Sequence, residues 1–181
     1  LARDFETLCG LLKSAVEQAN RAIFDSAHEH VQYQGMGTTI VACAASSDRF
    51  AVASVGDSRL YRYRGGELTQ ITRDHSLVKR LEELGHITPD EAANYPHRNV
   101  LYRALGQGEI LDPDIFTVGF PQPGHLMLCS DGLLGVLTEQ DLTRAMNEAP
   151  TLQRACQNLV NAANAAGGPD NISVILVQLI G

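Results

Sequence analysis

Near the start of the chain, apolar positions recur at steps of three and four: Phe5, Leu8, Leu12, Ala15, Ala19 and Ile23, with Arg3, Asp4, Lys13 and Glu17 between them. That spacing predicts a long amphipathic helix. After the polar stretch His28–Gln34 and a Gly35-Met36-Gly37 break, the period shortens. Thr38–Ala45 is a β-branched and apolar run, Ser46-Ser47-Asp48 has turn composition, and Phe50–Val55 reads as a second strand. Leu60–Arg64 alternates Leu, Tyr, Tyr against Arg, Arg, and Gly65-Gly66 supplies a hairpin turn into Leu68–Thr72. These elements predict an antiparallel meander rather than parallel crossovers.

Arg73–Asn99 changes character. Leu77, Leu81 and Leu84 suggest a short helix ended by Gly85, and Thr88-Pro89-Asp90-Glu91 has an N-cap, Pro at the first helical position and Glu at capping-box spacing. With so little apolar surface, the segment reads as an excursion over the surface. Val100–Leu105, Ile115–Phe120 and His125–Ser130 then look like strands, Leu137–Met146 (capped by Thr138) and Leu152–Ala165 like helices, and Asn171–Leu179 like a last strand. Strands bracketed by helices indicate α+β, with antiparallel sheet covered by helices. No linker or repeat divides the chain, so residues 1–181 read as one domain.

Composition narrows the function more than the fold. With 181 residues the chain can bury a sizeable core, and 44% hydrophobic against 19% charged residues is ordinary globular composition. Trp is absent and aromatics are 6%, so that core must be mainly aliphatic and Ala. A net charge of −7 argues against a nucleic-acid or anionic-membrane footprint. The longest apolar stretch, Ile172–Ile180, is too short to span a bilayer. Cys9, Cys43, Cys129 and Cys156 are scattered without ligand or disulfide spacing, which reads as a reducing, cytoplasmic compartment. The chain opens on Leu1 inside the first predicted helix, without a basic-then-apolar leader, and reads as a fragment.

Three aspartates share a context: Asp57 in Val55-Gly56-Asp57-Ser58, Asp131 in Cys129-Ser130-Asp131-Gly132, and Asp170 in Gly167-Gly168-Pro169-Asp170-Asn171. One Asp beside Gly at a strand end is ordinarily a turn residue. Three are a different matter, because strand ends place side chains along one sheet edge and clustered carboxylates repel unless a cation sits among them. Oxygen-only ligands suit Mg²⁺ or Mn²⁺.

On these and further motifs the sequence resembles the PPM-type (type 2C) metal-dependent protein serine/threonine phosphatases in their bacterial form. The motifs, in family order, are Gly35-Met36-Gly37-Thr38-Thr39, Val55-Gly56-Asp57-Ser58-Arg59-Leu60-Tyr61, Leu68-Thr69, Thr72-Arg73-Asp74-His75-Ser76, Pro96, Arg98-Asn99-Val100, Arg103-Ala104-Leu105-Gly106, Ser130-Asp131-Gly132-Leu133 and Asp170-Asn171-Ile172-Ser173-Val174. The resemblance implies a four-layer αββα sandwich of two antiparallel sheets flanked by helices, with a dinuclear site in the cleft. It assigns Asp131 and Asp170 as ligands of the metal pair, and Asp57, with Asp131, as ligand of a third, weaker ion. It makes residues 73–99 the flap beside the active site. The implied reaction is hydrolysis of phosphoserine and phosphothreonine in proteins by a metal-activated water, opposing a bacterial Ser/Thr kinase, without a phosphoenzyme.

The departures from the family pattern define the alternative. The family's earlier Asp-Gly-Met-Gly-Gly motif, whose Asp bridges both metals, is not in this sequence, so the chain is expected to be N-terminally incomplete and inactive by itself. Tyr95 stands where many relatives have His before Pro96, and Tyr102 where Thr is common. The competing function is a non-catalytic, phosphatase-like regulatory or binding module. Retention of Asp57, Asp131 and Asp170 together favours the enzyme. Of the remaining chemistry-bearing residues, Cys129 reads as a buried strand residue, and His75, His86, His97 and His125 as exposed or hydrogen-bonded. Arg59 and Arg103 read as structural pairs, with Arg98 left open.

Overall fold

A computed structural model describes residues 2–45, 49–119 and 124–179. In chain order the elements are α1 (Ala2–Glu29), a 3₁₀ turn (Val31–Tyr33), β1 (Ile40–Ala45), β2 (Arg49–Val55), β3 (Arg59–Arg64) and β4 (Glu67–Gln70). They continue with α2 (Leu77–Glu83), α3 (Pro89–Ala93), β5 (Asp114–Gly119), β6 (Gly124–Cys129), α4 (Asp131–Leu134), α5 (Glu139–Glu148), α6 (Leu152–Ala165) and β7 (Val174–Leu179). The fold is α+β with two antiparallel sheets, as the patterning predicts. The expected turn at Ser46-Ser47-Asp48, and the end of the expected strand at Phe120, lie outside the described residues.

The chain divides into two compact units, residues 1–57 with 74–119, and residues 58–73 with 120–181. In the first, β2 is the middle strand of a sheet ordered β1-β2-β5, in register Ile40↔Val55 and Ser54↔Asp114. Every residue of β2 from Phe50 to Val55 is buried, which suits its small and aliphatic side chains. Helix α1 lays Leu12, Val16, Ala19 and Ile23 against Ala53, Val55 and Leu105. Leu12, Ala19 and Ile23 lie on the packed face as the spacing predicts, while Ala15 is exposed and Val16 beside it takes the buried place. The same face carries a buried polar residue. Asn20 donates to the Gly108 carbonyl at 2.9 Å and accepts from the Gly106 N–H at 2.8 Å, tying the loop before β5 to the helix.

The second unit has a sheet ordered β4-β3-β6-β7. Its core joins Tyr61, Met127 and Cys129 of the sheet to Leu133 of α4, Leu142 of α5, and Leu159 and Ala163 of α6. The β3–β4 hairpin turns through Gly65 and Gly66, both at positive φ, as the twist of a two-residue hairpin loop demands. The predicted caps are present: Thr88 and Glu91 form a capping box on α3, and Thr138 with Asp141 forms one on α5.

Two expectations need correction. Val100–Leu105 is not a strand; it makes only isolated bridges, Leu101 with Ser76 and Leu105 with Thr38. Its backbone bonds go to loops, Tyr102 N–H to the His75 carbonyl at 2.9 Å and Leu105 N–H to the Thr38 carbonyl at 2.9 Å, so no ladder forms. The last strand begins at Val174 rather than Asn171, because the residues before it pack against the loop after β6.

Candidate metal centre

The β6–β7 register pairs Cys129 with Val174, so the residues leaving β6 lie beside those entering β7. Asp131 and Asp170 are carried on these two neighbouring segments. Ser130 stitches them together: its N–H donates to the Ser173 carbonyl at 3.1 Å, its Oγ accepts from the Ser173 N–H at 3.0 Å, and its hydroxyl donates to the Asn171 carbonyl at 3.2 Å. Gly132 lets the segments approach. A Cβ there would fall on the Asn171 carbonyl oxygen, with that carbonyl carbon at 2.9 Å and the Asp170 carbonyl carbon at 3.4 Å.

Asp131 opens α4, and its carbonyl accepts from Gly135 N–H at 2.7 Å. Its carboxylate is exposed. The exposed Asp170 carboxylate turns back to accept the Asn171 N–H at 2.7 Å, which orients one oxygen and leaves the other unengaged by that bond. Among the described residues, neither carboxylate forms an ion pair with Lys or Arg. Hard, anionic, solvent-reachable oxygens without a cationic partner are the donors that Mg²⁺ or Mn²⁺ takes. In that chemical sense the residues fit a divalent ion. Among the described residues, however, no three His, Cys, Asp or Glu side chains converge in ligand geometry, so these two carboxylates do not by themselves make a complete coordination set.

Asp57 belongs to the other unit, where it follows β2. The turn before it depends on Gly56, which has φ +103° and whose added Cβ would meet the Thr39 side chain and come within 3.2 Å of its Cα. His75 grips this glycine twice. Its N–H donates to the Gly56 carbonyl at 2.9 Å, and its Nδ1 accepts from the Gly56 N–H at 3.1 Å. On the far side of the ring, Nε2 lies 3.1 Å from Asp114 Oδ2, while Arg103 donates to Asp114 Oδ1 at 2.7 Å. Burial by itself would raise the Asp114 carboxyl, but the hydrogen bonds from His75 and Arg103, with the Arg103 charge, outweigh it and hold the group below its ordinary value.

His75 is the residue that sequence reasoning undervalued. It is hydrogen-bonded, as expected, but only 1% exposed, and it sits in a run of buried polar residues, Asp74-His75-Ser76. Arg103 is a structural pair, and Arg59 donates to the Tyr61 hydroxyl at 2.8 Å, both as expected. Burial pushes the Tyr61 phenol up to about 12 despite that donor. His86 and His97 are exposed, and His125 is half-buried on β6 against Tyr63. Cys129 is a buried strand residue, and burial pushes the Cys43 thiol up to about 11, far from a reactive thiolate.

Comparison with known proteins gives a consistent result. Residues 3–175 match the family described as Protein phosphatase 2C. The serine/threonine phosphatase stp of Listeria monocytogenes serovar 1/2a is 37% identical over 167 residues, which make up 92% of this chain and 66% of that protein. The chain therefore spans just under two thirds of that relative's length. The solved S. agalactiae serine/threonine phosphatase superposes with a TM-score of 0.92 at 35% identity, covering 97% of this chain and 72% of that one. The catalytic domain of the serine/threonine protein phosphatase PstP, solved with 2 manganese ions, gives a TM-score of 0.85 at 33% identity, covering 94% and 70%.

Proposed function

The chain belongs to the protein phosphatase 2C family, and from that premise we propose that it serves a metal-dependent phosphatase that removes phosphate from phosphoserine and phosphothreonine in proteins. The observation that carries this reading is the pairing of two exposed carboxylate segments, Asp131 and Asp170, at one end of the β6–β7 pair, with a glycine where any side chain would force them apart. A non-catalytic binding module needs no pair of metal ligands at these positions.

In this proposal Asp131 and Asp170 are ligands of a pair of Mg²⁺ or Mn²⁺ ions, and Asp57 serves a further, weaker ion. When bound, such ions acidify a coordinated water and offset the charge on phosphoryl oxygens. The chain's own residues orient the donors. Ser130 fixes the spacing of the two segments, the Asn171 N–H aims the Asp170 carboxylate, and Gly56 sets the direction in which Asp57 leaves β2. Residues 1–181 act in one phosphatase domain, with residues 73–99 as its flap. The substrates are phosphoproteins made by a bacterial Ser/Thr kinase, the class of reaction that such a phosphatase reverses. The manganese pair in the PstP domain supports the choice of metal through the shared family.

The test is turnover of a phosphothreonine peptide by the full-length protein at saturating Mn²⁺. Asp131→Asn and Asp170→Asn should each lower it by about 10²-fold or more, because each removes a charged ligand. Near-normal turnover in both variants removes the ligand assignment. A full-length protein that turns over no phosphopeptide with either ion is instead a non-catalytic module.

A further inference from the structure

We infer that His75 is a positioning residue: its neutral ring, oriented by Asp114, sets the conformation of Gly56 and hence the direction of Asp57. The consequence for metal rests on the reading of Asp57 as a ligand; the positioning itself rests on geometry alone. A backbone N–H can only donate, so the 3.1 Å contact from Gly56 N–H leaves Nδ1 as an acceptor without a proton. The ring proton then sits on Nε2, which donates to Asp114 Oδ2 at 3.1 Å. Arg103 lies 3.5 Å from Nε2, and since both are donors they share the carboxylate rather than each other. Asp114 thus selects the tautomer, and the tautomer presents a lone pair to Gly56.

Because the His75 N–H also donates to the Gly56 carbonyl, both polar groups of one glycine are held by one residue. That glycine is at φ +103°, a conformation in which few other residues settle. The His75 carbonyl in turn accepts from Tyr102 N–H at 2.9 Å, and the Tyr102 ring lies 5.6 Å from the imidazole. The end of β2, the base of the flap, the segment around Tyr102 and the start of β5 therefore meet on His75, all within the first compact unit. With the imidazole 1% exposed, water offers no substitute acceptor for the Gly56 N–H.

Two substitutions separate the two sides of the ring. In His75→Asn the side-chain oxygen stands two bonds from Cβ, where Nδ1 stood, and still accepts from Gly56. In His75→Gln the amide nitrogen has the reach of Nε2 and still donates to Asp114, but nothing faces Gly56. In the full-length protein, His75→Asn should keep the exchange rate of the Gly56 amide, read by ¹⁵N-edited NMR, within about threefold of the original. His75→Gln should speed it about tenfold, the equivalent of one lost hydrogen bond. Mn²⁺ titration by calorimetry should show the weak, Asp57-dependent step retained in His75→Asn and weakened about tenfold in His75→Gln. Equal amide exchange in His75→Gln and the original, or equal impairment of both variants, overturns the inference. Should Asp57→Ala leave the Mn²⁺ titration unchanged while His75→Gln still frees the Gly56 amide, the ligand reading of Asp57 fails and the positioning stands. A measurement on the unaltered protein guards against misfolded variants. Long-range ¹H–¹⁵N correlation of the His75 ring should show Nδ1 bare and Nε2 protonated, and the opposite tautomer or an imidazolium overturns the inference.

Discussion

Gly132→Ala is a one-methyl test of the Asp131–Asp170 arrangement. The new Cβ lands on the Asn171 carbonyl oxygen, with the carbonyl carbon at 2.9 Å. An unstrained carbon–carbon contact is about 3.5 Å or more, so the two segments must separate by at least about 0.6 Å. Both obstacles are backbone, and no rotamer change relieves them. Ser130, bonded to Ser173 and to Asn171, resists the separation from the neighbouring position. Overpacking of this kind costs about 1–3 kcal/mol, which for a chain of this size lowers the thermal midpoint by roughly 2–12 °C. The effect on function should exceed the effect on stability, because a displacement of this size between two ligand-bearing segments costs about 10²-fold in turnover. Gly10→Ala is the control. It lies on an exposed part of α1 with nothing within 4 Å of the new Cβ, and it should raise the midpoint slightly, as Ala gains about 0.5–1 kcal/mol over Gly inside a helix. The assay is thermal unfolding beside Mn²⁺-dependent turnover of a phosphothreonine peptide. Turnover within twofold of the original in Gly132→Ala refutes the claim that the spacing of these segments is functional.

Two further outcomes follow from the same geometry. Asp114 is held below its ordinary carboxyl value in the folded chain, so its contribution is present above the unfolded value of about 3.9 and fades as pH falls through the lower folded value. The midpoint difference between the original and Asp114→Asn should therefore be widest near pH 7 and shrink below about pH 4; a gap unchanged by acidification contradicts the His75–Asp114–Arg103 account. Residues 1–181 by themselves should bind Mn²⁺ with a Kd of about 10⁻⁴ M or weaker, typical of sparse carboxylate sites, because no third ligand-type side chain joins Asp131 and Asp170 among the described residues. Submicromolar binding in calorimetry would mean that other donors complete the site.

Much of the fold was legible because local rules and tertiary outcome agree. Period-2 alternation in Leu60–Arg64, a Gly-Gly turn and capping signatures at Thr88 and Thr138 each act over a few residues, and each is realised. The apolar spacing on α1 places Leu12, Ala19 and Ile23 on the packed face but takes Ala15 for Val16 and passes over a buried asparagine beside them. Asn20 breaks the apolar repeat, and only its bonds to Gly106 and Gly108, some ninety positions away in sequence, show why the fold tolerates it. Val100–Leu105 failed as a strand for a related reason. Its apolar composition suits a sheet, but its N–H groups are taken by the His75 and Thr38 carbonyls before a ladder can form.

The site divides along the same line. Asp131 and Asp170 could be named from motifs, since the residues that fix their spacing, Ser130 and Gly132, are immediate neighbours in sequence. His75 could not, because a run such as Thr72-Arg73-Asp74-His75-Ser76 has the composition of an exposed loop. Three of its side chains instead accept backbone N–H groups: Thr72 from Leu60 at 3.0 Å, His75 from Gly56 at 3.1 Å and Ser76 from Lys79 at 3.3 Å. A polar side chain is buried cheaply only when such a partner exists. The partner for His75 is the amide of a glycine whose positive φ turns it out of the β2 ladder. A strand that ends in Gly-Asp thus leaves an amide to be satisfied, and a polar run elsewhere in the chain, rather than an apolar one, is where its acceptor should be sought.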